Sequence, residues 1–180
     1  TNIAAAMELD SSFCSNLEGM VVMGGSLRAG GNITPAAEAN FYHDPHAADY
    51  VLRHGCNITL VGLDVTNRVI CPRSFFARLA SESPKMGGLL HDMAEFYIDF
   101  YETVGKFAGC GMHDPSALVA CIAPELFTTE PHALRVALSG DRSGEMIAVA
   151  NSTARPVNVC TDVQAEAVKQ NFFKIVAKLS

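Results

Sequence analysis

The sequence predicts an α/β fold in which helices flank a mainly parallel sheet. Two short apolar runs, residues 20–23 and 58–63, are followed directly by glycine or aspartate, as is typical of buried parallel strands. Between them, residues 45–54 place apolar side chains on one helical face, and Gly55 follows as a helix stop. This order of strand, helix and strand is typical of the units that build parallel sheets.

The rest of the chain adds one long helix, one hairpin and a final strand and helix. Residues 86–104 carry apolar side chains at steps of three and four, which predicts one long amphipathic helix. Segments 134–138 and 146–150 flank a turn sequence rich in glycine and serine, which predicts an antiparallel hairpin. Residues 157–161 predict the last strand, and we expect Asp162 to cap the final helix.

Composition limits the classes of partner. The 180 residues are 49% hydrophobic and 18% charged, which is enough for one sizeable core. The formal net charge is −6 and no basic run occurs, so we expect neither nucleic acid nor an anionic membrane as a partner. The apolar stretches are far shorter than the roughly 20 residues that span a bilayer, and no signal-peptide pattern is present. We therefore expect a cytoplasmic protein.

The cysteines favour reduced thiols over disulfides or zinc. No two of them lie within four positions of each other, so the C-x-x-C pairs of zinc sites are absent. Most of them have apolar neighbours in the sequence, and a chain of this length does not depend on disulfides for stability. The six residues are Cys14, Cys56, Cys71, Cys110, Cys121 and Cys160.

A glycine-rich loop after the first strand is the first candidate site. Ligands of open α/β sheets bind at the carboxyl ends of strands, where this loop is expected. It lacks the G-K-[ST] and G-x-G-x-x-G patterns that bind phosphate. The carboxylate of Glu38 can accept hydrogen bonds, and the carboxamides of Asn32 and Asn40 can both accept and donate them. This combination suits a ligand with several hydroxyl groups. A surface loop with glycine turns and local asparagine caps is the alternative.

The second candidate site is the sequence His113-Asp114-Pro115, in which we expect Pro115 to open a helix at its first position. A histidine can protonate a leaving group near neutral pH, and a carboxylate can bind a hard cation. A plain helix cap at Asp114 is the alternative. Tyr97 and Tyr101 lie one helical turn apart upstream, and they suit either the core or contact with a flat heteroaromatic group.

Five blocks of the sequence together resemble the inosine–uridine nucleoside hydrolase family in both order and spacing. They are VVMGG at 21–25, GNITPAAEAN at 31–40, DP at 44–45, VGLDVT at 61–66 and MHDP at 112–115. The resemblance implies hydrolysis of the N-glycosidic bond of ribonucleosides to ribose and free base, in purine and pyrimidine salvage. It also implies a Rossmann-like α/β fold, a tightly bound Ca²⁺ ion and a homo-oligomer, either a dimer or a tetramer.

By position in the family's motifs, the resemblance implies roles for eight side chains in one active site. Such a reaction passes through an oxocarbenium-like state and is helped by protonating the leaving group. The implied roles are ribose contacts for Met23, Asn32, Glu38 and Asn40, base contacts for Tyr97 and Tyr101, proton donation for His113, and calcium ligation for Asp114.

Two departures from the family pattern concern the ribose site and the metal. Ala39 stands where the family usually has phenylalanine. The D-x-D-P-G-x-D-D cluster, which in the family supplies most calcium ligands and the base that activates water, is absent. The match begins at residues 1–4, which are similar to an interior segment of the family domain. We therefore expect residues 1–180 to be the C-terminal portion of a single nucleoside hydrolase domain, incomplete at its N-terminus and inactive alone.

The resemblance leaves two hypotheses about function. The first is an enzyme for inosine, uridine or a broad range of ribonucleosides, because His113 is present and the purine-restricted branches lack this histidine. The chain also contains no tryptophan, the residue on which those branches stack the base. The second is a truncated or inactive homologue that binds nucleoside or acts as an interaction partner.

Overall fold

The computed structural model describes residues 1–104, 108–150 and 153–179, which divide into two compact units. The first unit consists of Thr1–Val65 with Phe127–Asp162, and the second of Thr66–Leu126 with Val163–Ser180. The helices are α1 (Asn2–Leu9), α2 (Ala39–His43), α3 (Pro45–His54), α4 (Leu63–Thr66), α5 (Arg73–Glu82), α6 (Met86–Thr103), α7 (His113–Ile122) and α8 (Ala165–Ala177). The strands are β1 (Met20–Met23), β2 (Ile58–Val61), β3 (Ile70–Cys71), β4 (Cys110–Gly111), β5 (Phe127–His132), β6 (Leu134–Val136), β7 (Met146–Ala148) and β8 (Val157–Val163).

The predicted sheet forms the centre of the first unit, with strand order β1-β2-β8-β5. β1 pairs with β2 in parallel, from Met20 opposite Ile58 to Met23 opposite Val61. β2 in turn pairs in parallel with β8. The mainly parallel α/β fold is thus confirmed, and the carboxyl ends of β1 and β2 lie side by side.

The two predicted strands differ in burial. β2 is buried as expected, with Leu60 and Val61 fully inaccessible. β1 is only half-buried along its whole length, which contradicts the expectation that both of its faces are covered. The physical reason is its place in the strand order, where β1 pairs only with β2 among the described strands.

Helix α3 and the hairpin β6–β7 agree with the predictions. α3 begins at Pro45 and ends at His54; the Asp44 carboxylate accepts from the Ala47 amide at 3.0 Å. β6 and β7 pair antiparallel. Both elements pack side chains into one core of buried residues, made up of Phe41, Val51, Leu52, Ile58, Leu60, Leu134, Val136, Met146, Val157 and Val159.

In the second unit, the predicted long helix is confirmed as α6, but it buries a different face. The side chains that form most of the predicted apolar stripe are exposed: Leu89, Met93, Phe96, Tyr97, Phe100 and Val104. α6 instead buries a face that includes Gly87, Ala94 and Ile98. A side chain at Gly87 would collide with the backbone of Leu79 in α5, so small residues allow the two helices to approach closely.

No described helix is long and apolar enough to cross a membrane.

Two helix starts differ from the predictions. Asp162 does not cap the final helix, because it continues strand β8, and α8 begins only after Gln164. α7 begins at His113 rather than at Pro115. Proline is tolerated there, because the amides of the first helical turn have no intrahelical partner.

The six cysteines are all free, which agrees with the prediction of reduced thiols. Their burial varies: Cys71 and Cys160 are buried, whereas Cys121 is exposed. Burial raises the pKa of the Cys71 thiol to about 12 and that of Cys160 to about 11. Both thiols are therefore protonated at neutral pH.

Candidate active-site residues

The carboxylate of Glu38 forms hydrogen bonds both to the loop that follows β1 and to the first turn of α2. It accepts from the backbone amides of Asn40 at 2.9 Å and Phe41 at 3.2 Å, which caps the helix. The same group accepts from the Gly25 amide at 2.9 Å, where a positive φ of 69° favours glycine. With only 2% exposure, Glu38 is held in one position. This capping role was missed in the sequence, although a glutamate directly before a helix start could have indicated it.

Asn40 and Met23 lie together at the carboxyl end of β1. The Asn40 side-chain amide donates to the Met23 carbonyl oxygen at 3.5 Å and lies 3.3 Å from the Met23 sulfur. Both residues line a small cleft of about 140 Å³ in the first unit. Asn40 is exposed, so its amide is also accessible to a ligand.

Asn32 is held beside the same segment. Its side-chain oxygen accepts from the backbone amide of Ala39 at 2.8 Å. The loop closes on itself, since the backbone amides of Gly31 and Asn32 donate to carbonyl oxygens of Pro35 and Ala37. The first unit therefore places Asn32, Glu38 and Asn40 on one compact stretch of chain, while their ribose contacts stay predictions.

Asp64 is a residue of this loop system to which the sequence assigned no role. It follows β2, and its carboxylate accepts from three consecutive backbone amides, those of Leu27, Arg28 and Ala29, at 2.6, 2.7 and 3.0 Å. A carboxylate with several amide donors is a strong, charge-assisted anchor. Asp64 therefore fixes the path of the glycine-rich loop, and its position in the VGLDVT block was the available signal.

His113 has a hydrogen-bond partner at each ring nitrogen in the second unit. The Thr66 hydroxyl lies 2.8 Å from Nδ1, and the Tyr101 hydroxyl lies 2.9 Å from Nε2. Tyr101 is only 8% exposed, and burial is the main cause that raises the pKa of its phenol. The hydroxyl of Tyr101 therefore keeps its proton at neutral pH.

A cavity of about 350 Å³ lies beside His113. Tyr97 lines this cavity and is 53% exposed, whereas Tyr101 contacts the imidazole ring itself. The two tyrosines that the sequence grouped together thus have different surroundings. The lining is mostly apolar: Phe76, Leu90, Met93, Ala94, Tyr97, Cys110, Gly111, Met112, His113, Asp114, Pro115 and Phe172.

Asp114 is exposed in the first turn of α7 and lines the same cavity. Ca²⁺ takes about six to eight oxygen ligands, often several of them carboxylates. In the described ranges 1–104, 108–150 and 153–179, no three side chains of His, Cys, Asp or Glu are grouped so that they could hold a metal ion. Asp114 can supply one carboxylate, and its role as a calcium ligand stays a prediction.

The first unit carries a loop with two carboxamides, and the second unit carries a histidine that lines an apolar cavity. The family model described as inosine-uridine preferring nucleoside hydrolase matches residues 1–170. The chain belongs to this family.

Individual relatives agree with this assignment. The chain is 39% identical over 140 residues to uridine nucleosidase 1 of Arabidopsis thaliana, covering 78% of this chain and 42% of that protein. It is 34% identical over 178 residues to the inosine-uridine preferring nucleoside hydrolase of Leishmania major, covering 97% of this chain and 54% of that protein.

A solved structure shows the same fold. The purine-preferring ribonucleoside hydrolase from Gardnerella vaginalis is 33% identical, with a TM-score of 0.92 over 99% of this chain and 58% of that one. The chain spans about half the length of the curated relatives it matches.

Proposed function

We propose that this chain belongs to an enzyme that hydrolyses the N-glycosidic bond of ribonucleosides such as inosine and uridine. The observation that carries the proposal is His113, held at both ring nitrogens beside a mostly apolar cavity. The relatives are named as nucleosidases and nucleoside hydrolases, which does not favour the second hypothesis of an inactive homologue.

The chemistry needs a proton at the departing base. As the bond to the ribose breaks, negative charge develops on the base, and an imidazolium can neutralise it by donating a proton. His113 is the described side chain that fits this role, and the apolar lining of its cavity suits a flat ring. Asn32, Glu38 and Asn40 are proposed to bind the ribose hydroxyls, as the resemblance implies.

Calcium dependence is part of the proposal, with Asp114 as one ligand. When bound, a hard cation of this kind would orient the ribose hydroxyls and make a water molecule more acidic. Because no three His, Cys, Asp or Glu side chains are grouped together among the described residues, we expect the isolated 180-residue chain to bind Ca²⁺ weakly and to release no ribose. The full-length gene product should release ribose from inosine and uridine, and a calcium chelator should abolish this activity.

The proton-donor role is tested by comparing two leaving groups in the full-length gene product. His113→Ala should lower kcat on inosine by about 10²- to 10⁴-fold. It should affect p-nitrophenyl riboside far less, because that leaving group needs no proton. Asn40→Ala is the matched control, since a ribose contact should affect both substrates alike. Equal losses on both substrates in His113→Ala would disprove the acid role.

We also propose a cytoplasmic homo-oligomer, a dimer or tetramer, that acts in nucleoside salvage. The exposed apolar side chains of α6, among them Leu89, Phe96 and Phe100, support self-association because large exposed apolar patches often mark interfaces. Light scattering after size-exclusion chromatography of the gene product tests this state. A mass of one chain at micromolar concentration would contradict it.

A further inference from the structure

We propose that Thr66 is a positioning residue that orients the imidazole ring of His113. This inference rests on the proposed function, because it assigns Thr66 to the proton-donating step. The Thr66 hydroxyl lies 2.8 Å from Nδ1 of His113, across 47 positions of sequence. A hydrogen bond at Nδ1 limits rotation of the imidazole about the Cα–Cβ and Cβ–Cγ bonds of His113. It therefore determines the direction in which Nε2 points.

Thr66 is well placed to do this because it is fully buried. It ends α4, has 0% exposure, and its carbonyl accepts from the Val69 amide at 3.1 Å. A buried, β-branched side chain has few rotamers available, so its hydroxyl has a defined direction. A hydroxyl can accept from a protonated Nδ1 or donate to an unprotonated one, so the contact persists in both protonation states of the ring.

The backbone holds the two partners at a constant separation. Val69, three residues after Thr66, accepts from the amide of Met112, the residue directly before His113, at 2.9 Å. β3 and β4 continue this pairing, with Ile70 opposite Gly111. Thr66 and His113 are therefore attached to two neighbouring backbone segments that are bonded to each other.

The imidazole of His113 has little room on the side of Nε2. A Cβ atom at Gly111 would lie 2.8 Å from Nε2 of His113. The backbone of Gly111 on one side and the hydroxyl of Thr66 at the opposite nitrogen thus confine the ring to one orientation. Such preorganisation matters because a misplacement of about 1 Å can cost about 10²-fold in rate.

The first test uses the full-length gene product and does not require activity. Nitrogen-15 NMR of histidine-labelled chain reports the Nδ1 resonance of His113, identified by its loss in His113→Ala. Thr66→Val keeps the shape and burial but removes the hydroxyl, and it should shift this resonance, whereas Thr66→Ser should leave it near the wild-type position. The remaining histidines report that the fold is retained; if the valine variant does not fold, Thr66→Ala is measured instead. An unchanged Nδ1 resonance in the folded variant overturns the proposal.

The second test measures kinetics of the full-length gene product. Thr66→Val should lower kcat on inosine by about 10²-fold with KM nearly unchanged. It should have little effect on p-nitrophenyl riboside, and Thr66→Ser should restore most of the rate. Added to His113→Ala, the valine variant should cause no further loss, because the two residues act as one unit. Equal losses on both substrates, or a further loss in the double variant, would overturn the proposal.

The two tests separate this proposal from the proposed function. If the gene product hydrolyses no nucleoside while the Nδ1 resonance still depends on the Thr66 hydroxyl, the proposed function fails and the positioning of His113 by Thr66 stands. If nucleosides are hydrolysed but the valine variant behaves like the wild type in both tests, the proposed function stands and the role of Thr66 is wrong.

Discussion

The hydroxyl of Tyr101 lies 2.9 Å from Nε2 of His113, so each nitrogen of this imidazole has a partner within the chain. Tyr101 is 8% exposed and Thr66 is fully buried. The imidazole ring is therefore held between the hydroxyl groups of two buried residues, one at each nitrogen.

Tyr101→Phe tests the contribution of this hydroxyl. The ring stays buried, but Nε2 of His113 loses one hydrogen bond that helps to orient the imidazole. We expect the less well oriented imidazole to lower kcat on inosine in the full-length gene product by about fivefold, which corresponds to about 1 kcal/mol in the barrier. Tyr50→Phe, which changes a tyrosine of the first unit outside the site, is the control. An undiminished rate in Tyr101→Phe would show that the hydroxyl does not assist His113.

Gly111→Ala tests the confinement of the ring. The new Cβ would lie 2.8 Å from Nε2 of His113, so the imidazole must move away. We expect hydrolysis of inosine to fall by at least about tenfold, since small misplacements are costly. Gly88→Ala is the matched control, because a Cβ there meets nothing within 4 Å. Because Gly88 lies in the first turn of α6, that change should raise stability by no more than about 1 kcal/mol in thermal or urea unfolding. Equal activity of the two variants would contradict the prediction.

Glu38→Gln tests the buried cap. The Glu38 carboxylate accepts from three backbone amides. In the glutamine variant, the side-chain NH₂ replaces one carboxylate oxygen and cannot accept from at least one of these amides. We expect the free energy of unfolding in urea to fall by about 1–3 kcal/mol. Glu8→Gln, at an exposed position of α1, should leave it within about 0.5 kcal/mol. A neutral result for Glu38→Gln would mean that the three amides find other partners.

The buried thiol of Cys71 predicts a loss of stability at alkaline pH. Burial raises its pKa from 9.0 to about 12, so between these values the unfolded chain releases a proton that the folded chain keeps. The folded state then binds more protons, and stability falls as pH rises from 9.0 towards about 12. Urea unfolding at several pH values should show this slope, and Cys71→Ala should reduce it. An unchanged slope in Cys71→Ala would assign the effect to other groups.

Periodicity in the sequence was enough to predict most of the fold. The parallel pair β1–β2, helix α3, the length of α6 and the hairpin β6–β7 all follow from patterns within short windows. The buried face of α6 could not be predicted in this way. It depends on close approach to α5, which only a small-residue face permits, and that neighbour is not part of the local pattern.

The sequence by itself determined the family, through five short blocks whose residue types and spacing occur together. It also identified His113 and the loop from Asn32 to Asn40 as candidates. Only the tertiary structure decided that Thr66 and Tyr101 hold His113, that Asp64 anchors three amides of the glycine-rich loop, and that Glu38 is a buried cap. These relationships join residues from 12 to 47 positions apart, and such contacts arise from packing and backbone pairing, which no local pattern encodes.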